Sequence, residues 1–249
     1  MNLLTIFVFV LILVLAYAVY KLMTKTTATV SGFSDGTRAV NVDSTNFGTN
    51  ANYGYSVWVY IDAWKNTVTD TDDTKTIGKN ILTRCSTTST TSPTVFNLYL
   101  DNDQNNLILL MNGIVNGAAV NKPCTIRNVK LQKWFNVTMS IYGNTVDLYL
   151  DGKLVQTCIQ AVPPTTLKTS DKLYVGGMID KSTCVATDGG DLVGYISNVV
   201  FKNNYFTPEE AWSIYGDGYS GAGMFSFLHS YRLNFSITNN NQTVGQISI

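Results

Sequence analysis

Trp134-Phe135-Asn136-Val137-Thr138-Met139-Ser140-Ile141-Tyr142-Gly143-Asn144-Thr145-Val146-Asp147-Leu148-Tyr149-Leu150-Asp151-Gly152-Lys153-Leu154 is the stretch whose reading decides the fold. Phe135, Val137, Met139 and Ile141 alternate with Asn136, Thr138 and Ser140, the period of two that puts apolar side chains on one face of a strand. Gly143-Asn144 supplies a tight turn. Val146, Leu148 and Leu150 then alternate with Asp147 and Tyr149. Asp151-Gly152 makes a second turn into an expected strand from Leu154 to Cys158.

Outward from this hairpin the same signals recur. Gly54 to Asp62 is dense in aromatic and β-branched residues, with Tyr55, Val57, Val59 and Ile61 on one face and Ser56, Trp58 and Tyr60 on the other. Further strands are expected at Thr37–Val42, Ile81–Cys85, Val95–Leu100, Leu107–Met111, Leu173–Val175 and Tyr195–Phe201. The Asp101–Asn106 cluster forms a turn between two of them. Lys65 to Asn80 and Ser86 to Thr94 read as loops, and Ile126 to Leu131 leads into Trp134. Thr207 opens a helix as N-cap. Pro208 takes the first helical position and Glu210 completes a capping box. Trp212 and Tyr215 share a face of that helix, and Gly216 can end it. Met224 to Ile249 adds one or two strands. Many short strands and one short helix make an all-β antiparallel sandwich.

Before this domain, Leu3 to Tyr20 carries no charge. At helical rise it spans roughly 27 Å, against about 30 Å for a bilayer's hydrocarbon core. Leu3, Phe7, Leu11, Leu15 and Tyr20 are the expected anchor residues, with Lys21 and Lys25 beyond the interface. Ala16-Tyr17-Ala18 resembles a signal-peptidase site. A signal peptide, however, carries a basic n-region and a shorter apolar core. The expected organisation is therefore a single-pass transmembrane anchor at 1–23, a tether at 24–36 and the sandwich at 37–249. The two lysines favour a cytoplasmic sandwich.

The chain has 17 basic and 17 acidic residues, and no basic run points to nucleic acid. Cys85, Cys124, Cys158 and Cys184 form no Cys-x-x-Cys pair, and with one histidine a zinc site is not expected. Four cysteines allow two disulfides in any of three pairings; a cytoplasmic domain would keep the thiols free. Asn136, Asn234 and Asn241 open glycosylation sequons.

The series Ser56-Val57-Trp58-Val59, Leu131-Gln132-Lys133-Trp134-Phe135-Asn136-Val137, Tyr149-Leu150-Asp151-Gly152-Lys153-Leu154, Gly194-Tyr195-Ile196-Ser197-Asn198-Val199 and Thr207-Pro208-Glu209-Glu210 resembles a laminin G-like, concanavalin A-type jelly roll over roughly Thr37 to Gly221. Shorter runs, Tyr149 to Cys158 and Ala211-Trp212-Ser213-Ile214-Tyr215 ahead of Gly218-Tyr219-Ser220-Gly221, resemble membrane-anchored proteins of large eukaryotic DNA viruses. That resemblance implies a minor capsid protein at the interface of an internal virion membrane and the capsid, with a lipid bilayer and capsid or other virion proteins as partners.

The residues themselves offer little catalysis. Glycosidases of this fold type use carboxylate pairs about 5 Å apart, yet the only glutamates, Glu209 and Glu210, belong to the helix start. His229 sits among aromatics, as a structural histidine does. The chain is expected not to be an enzyme and to need no cofactor. Calcium is the one metal considered, at Asp70, Asp72 and Asp73 or at Asp101, Asp103 and Asn105, whose oxygens are hard ligands. Trp58, Tyr60, Trp134 and Tyr149 are the candidate sugar-facing aromatics. A membrane-anchored structural protein is the leading expectation, and a membrane-tethered lectin-like module is the alternative.

Overall fold

The computed structural model describes residues 8–9, 11–17, 27–42, 49–65, 76–86, 94–115, 118–160, 167–220, 234–239 and 242–248. The strands are β1 (Thr27–Ser31), β2 (Ser34–Asp35), β3 (Val40–Val42), β4 (Tyr53–Ala63), β5 (Thr76–Ile77), β6 (Asn80–Cys85), β7 (Thr94–Leu100), β8 (Leu107–Val115) and β9 (Ala118–Ile126). They continue with β10 (Trp134–Tyr142), β11 (Thr145–Leu150), β12 (Lys153–Ile159), β13 (Lys172–Val175), β14 (Met178–Asp180), β15 (Val185–Thr187), β16 (Val193–Lys202), β17 (Asn234–Asn239) and β18 (Gln242–Ser248).

Two antiparallel sheets form the sandwich. One runs β1-β16-β4-β10-β11-β12, with β2 also on β16; the other runs β3-β13-β6-β7-β8-β9. The alternation in β4, β10 and β11 does what it predicts. Tyr55, Val57, Val59, Ile61, Phe135, Val137, Met139, Ile141, Val146 and Leu148 all enter one core. Removing this apolar area from water is the main stabilising term. The opposite sheet contributes Leu82, Phe96, Leu98, Leu109 and Leu173, and Tyr55 meets Phe96 across the sandwich at 5.2 Å. Gly143 has φ 55°, and Asp151 and Gly152 have φ 51° and 73°. These are the left-handed conformations two-residue hairpin turns require, which is why the turns fall there.

Several elements differ from expectation: β5 falls at the end of the expected Lys65–Asn80 loop, and β14 and β15 pair into a small sheet with it where no strands were expected. The expected tether contains β1 and β2, which pair with β16, so the sheet begins at Thr27. A strand not foreseen, β9, pairs with β8 despite Pro123. Proline is tolerated there because β9 is an edge and needs no donor on its outer side. Residues 8–9 and 11–17 are helical, and Leu11 and Leu15 are exposed on that helix; Leu3, Phe7 and Tyr20 lie outside the described residues. No helix of the described residues is long and apolar enough to cross a membrane.

The cysteine pairing is Cys85–Cys184 and Cys124–Cys158. The first ties β6 to the turn between β14 and β15, and the second joins the edge strands β9 and β12 of the two sheets.

The helix Pro208–Asp217 carries the expected capping box: Glu210 N donates to Thr207 Oγ1 at 3.2 Å and Thr207 N donates to Glu210 Oε2 at 2.8 Å. The helix ends on Gly218, two residues past the expected stop. Burial opposes ionisation of Glu210, but its bonds to Lys202 and Thr207 outweigh it and hold the carboxyl below its ordinary value. This contribution to stability is therefore present at neutral pH and lost as acid protonates the group. Thr207→Ala is expected to cost about 1 kcal/mol, seen in a melting scan as a fall of roughly 2–4 °C.

Candidate functional site

The outer face of the seven-stranded sheet has a polar half and an aromatic half. In the polar half, Ser56, Asn136, Thr138 and Ser140 are all buried. Asn136 Nδ2 donates to Ser56 Oγ at 3.0 Å, and Thr138 Oγ1 lies 2.8 Å from Ser56 Oγ. Ser140 Oγ is 2.9 Å from the carbonyl oxygen of Phe206, just before the helix. The chain leading into Pro208–Asp217 is thus fastened onto this face by hydrogen bonds. A glycan on Asn136 is incompatible with the fold, because its amide is buried and bonded. Asn234 lies in β17, and Asn241 is outside the described residues.

In the aromatic half, Tyr60 stands opposite Trp134 on one side and Tyr195 on the other. Ring centroids are 5.6 Å apart for Tyr60 and Trp134, and 6.2 Å for Tyr60 and Tyr195. A second layer lies on these three. Phe33 stacks on Tyr195 at 5.1 Å, and Tyr219 stacks on Trp134 at 4.7 Å with the planes 1° from parallel. The row continues through Trp58, which stacks on Tyr215 at 5.6 Å, to Trp212. Phe33 is 65 % exposed, and Tyr195, Trp212 and Tyr219 are also exposed. These rings leave an exposed aromatic patch on the outer face of the seven-stranded sheet.

Of the four aromatics expected to face a sugar, the structure brings Tyr60 and Trp134 together, half-buried, on this face. Trp58 and Tyr149 are corrections. Strand parity directs both outward, but they are 5 % and 2 % exposed. Trp58 lies under Tyr215 of the helix. The Asp151-Gly152 turn next to Tyr149 abuts Trp212 and Tyr215 closely enough that a Cβ on Gly152 would meet Trp212 Cα at 3.0 Å. Phe33, Tyr195 and Tyr219 were not singled out from sequence. Tyr195 could have been, since its neighbour Ile196 faces the core; Phe33 fell in the expected tether.

Asp70, Asp72 and Asp73 lie outside the described residues, as does His229. The Asp101–Asn106 loop is described, and a cation of the chain's own occupies it. Lys79 Nζ donates to the carbonyl of Asp101 at 3.1 Å and to that of Asn102 at 2.5 Å, and sits 4.4 Å from the Trp64 ring centre. Lys79 is almost wholly buried, and these carbonyl oxygens take the place of water around its ammonium. No group of three or more metal-ligating side chains occurs among the described residues.

Solved structures of similar fold include the receptor-binding domain of botulinum neurotoxin mosaic serotype C/D. It is 16 % identical over 82 % of this chain and 45 % of that one, with a TM-score of 0.52. The binding domain of botulinum neurotoxin serotype G is 14 % identical over 76 % and 46 %, with a TM-score of 0.51. A heptameric SAP-like pentraxin from Limulus polyphemus is 14 % identical over 70 % and 72 %, with a TM-score of 0.47. The chain spans a little under half the length of the toxin domains. No curated protein sequence matches it. The family model described as the concanavalin A-like lectin/glucanases superfamily matches residues 34–211, the span that holds every strand of the two sheets except β1, the central rings Tyr60, Trp134 and Tyr195, and the start of the covering helix, and it is to this superfamily that the chain belongs.

Proposed function

We propose that the chain is a non-enzymatic structural protein, held at a membrane by its apolar N-terminal segment, whose sandwich binds a protein shell. The single observation that carries the reading is the two-layered aromatic face centred on Tyr60, Trp134 and Tyr195. Its outermost rings are exposed on a domain whose described residues bring no carboxylate pair or metal-ligating group to that face. The resemblance of short runs to membrane-anchored virion proteins supports reading the shell as a capsid and the protein as a minor capsid component. Both disulfides support a sandwich that meets oxidising surroundings, which weighs against the cytoplasmic orientation expected from Lys21 and Lys25.

A lectin-like role is the second reading, favoured by the half-exposed rings of Tyr60 and Trp134. The stacking geometry weighs against it, because Tyr219 lies flat on Trp134, where a sugar ring would sit.

Cross-linking mass spectrometry on the native particle or membrane is the test. Cross-links from residues around the aromatic face to capsid proteins are expected. Truncating Phe33 and Tyr219 to alanine should weaken that association tenfold or more, as loss of buried aromatic anchors does. Cross-links confined to secreted or cell-surface glycoproteins, with glycan binding that survives purification, would replace this reading with the lectin-like one.

A further inference from the structure

The described C-terminal strands form a sheet of their own. β17 and β18 pair with each other and with no other described strand. A lone two-stranded hairpin is marginal in water and gains stability by joining a larger sheet. Neither strand carries a charged residue to discourage pairing.

The sandwich offers one edge suited to receive it. Among the sheet edges, β9 is interrupted by Lys122-Pro123, and β3 has only three residues. On β1 the register is broken between Thr29 and Ser31. Proline, shortness and irregularity are the usual protections of an edge. Edge strand β12 has seven residues, no proline and one charge, Lys153. Its irregularity falls early, opposite Leu148/Tyr149, leaving Gln156–Ile159 in regular register with β11. Six of the seven residues are exposed, including Leu154 at 51 %, Val155 at 45 % and Ile159 at 65 %. Lys122 Nζ donates to the Ile159 carbonyl at 2.9 Å at the far end.

We infer that β12 is an acceptor edge for the C-terminal hairpin of a second copy of this chain, which extends the seven-stranded sheet by strand addition. The contact is heterologous: hairpin meets edge, not edge meets edge. Each copy therefore keeps one free donor and one free acceptor, and association propagates into rings or rows. Such rows would suit a protein lining a shell, but the contact itself needs neither membrane nor capsid, so it stands or falls apart from the reading above.

The test uses the full chain in detergent or nanodiscs, with mass measured by light scattering. Wild type should self-associate with rising concentration. Leu154→Lys/Ile159→Lys, at exposed positions and with unchanged circular dichroism, and a chain lacking residues 234–249, with the thermal unfolding of the sandwich unchanged, should each be monomeric. Mixing these two should restore a 1:1 dimer with twice the monomer mass, because the first retains the donor and the second the acceptor. A monomeric wild type, association that survives either change, or a mixture that stays monomeric would each overturn the inference.

Discussion

Replacing Cys85 and Cys184 together by alanine should lower the unfolding free energy by about 3–5 kcal/mol. The two cysteines are 99 residues apart in sequence. Closing so long a loop restricts the unfolded chain by about 5 kcal/mol in the chain-entropy description; the 34-residue separation of Cys124 and Cys158 gives about 4 kcal/mol. The first bridge also has a local task. Cys85 and Cys184 sit in a small cluster with Ile77, Tyr174 and Ile179, through which the three-stranded sheet β15-β14-β5 packs onto the back of the six-stranded sheet. Breaking it should loosen β14 and β15 first. Urea denaturation of the wild type, the Cys85/Cys184 variant and the Cys124/Cys158 variant measures both costs. Amide exchange should show β14 and β15 losing protection only in the first variant. Equal midpoints in all three proteins would refute the expectation.

Arg84→Met should cost about 3–5 kcal/mol, because it leaves a carboxylate buried without its cation. Arg84 points from β6 into the space between the sheets, and both it and Asp171 are fully buried. Arg84 Nε donates to Asp171 Oδ2 at 3.1 Å, Nη1 to the Tyr55 hydroxyl at 2.7 Å and Nη2 to the Lys168 carbonyl at 2.9 Å. One guanidinium thus links β6, the segment before β13 and, through Tyr55, the opposite sheet. Removing both charges in Arg84→Met/Asp171→Leu should recover part of the loss, since an apolar pair of similar volume avoids the unpaired ion. A double variant less stable than the single one would contradict this account. The same cluster sets an alkaline limit. Burial pushes the Tyr55 hydroxyl up to about 12, against the pull of Arg84, and also raises Tyr53. The unfolded chain releases these protons near pH 10, while the folded chain holds them. Stability is therefore fully present below about pH 10 and falls as pH rises toward 12. Denaturation midpoints taken between pH 8 and pH 11 should drop for the wild type and drop less for Tyr53→Phe.

The sandwich was legible because its central strands carry a short-range code. In β4, β10 and β11 the apolar residues of one parity all enter the core between the sheets, and the turns at Gly143-Asn144 and Asp151-Gly152 use residues that accept left-handed backbone. The Thr207 capping box was legible for the same reason, as its bonds join residues three apart. Other features depend on partners far along the chain. Nothing near Thr27 signals β1, whose partner is β16. The aromatic face draws Phe33, Tyr60, Trp134, Tyr195 and Tyr219 from five separate segments. Trp58 and Tyr149 looked exposed because parity names a face and not what lies over it.

By itself, then, the amino-acid order determined the fold class, the central hairpins and the capped helix, all consequences of periodicity or local bonds. Only the tertiary structure decided the disulfide pairing, the placing of Lys79 in the Asp101–Asn106 loop, the buried Arg84–Asp171 pair and which aromatics meet solvent. Each of these depends on distance between residues remote in sequence, which is settled only when the two sheets close and the helix lies down across one of them.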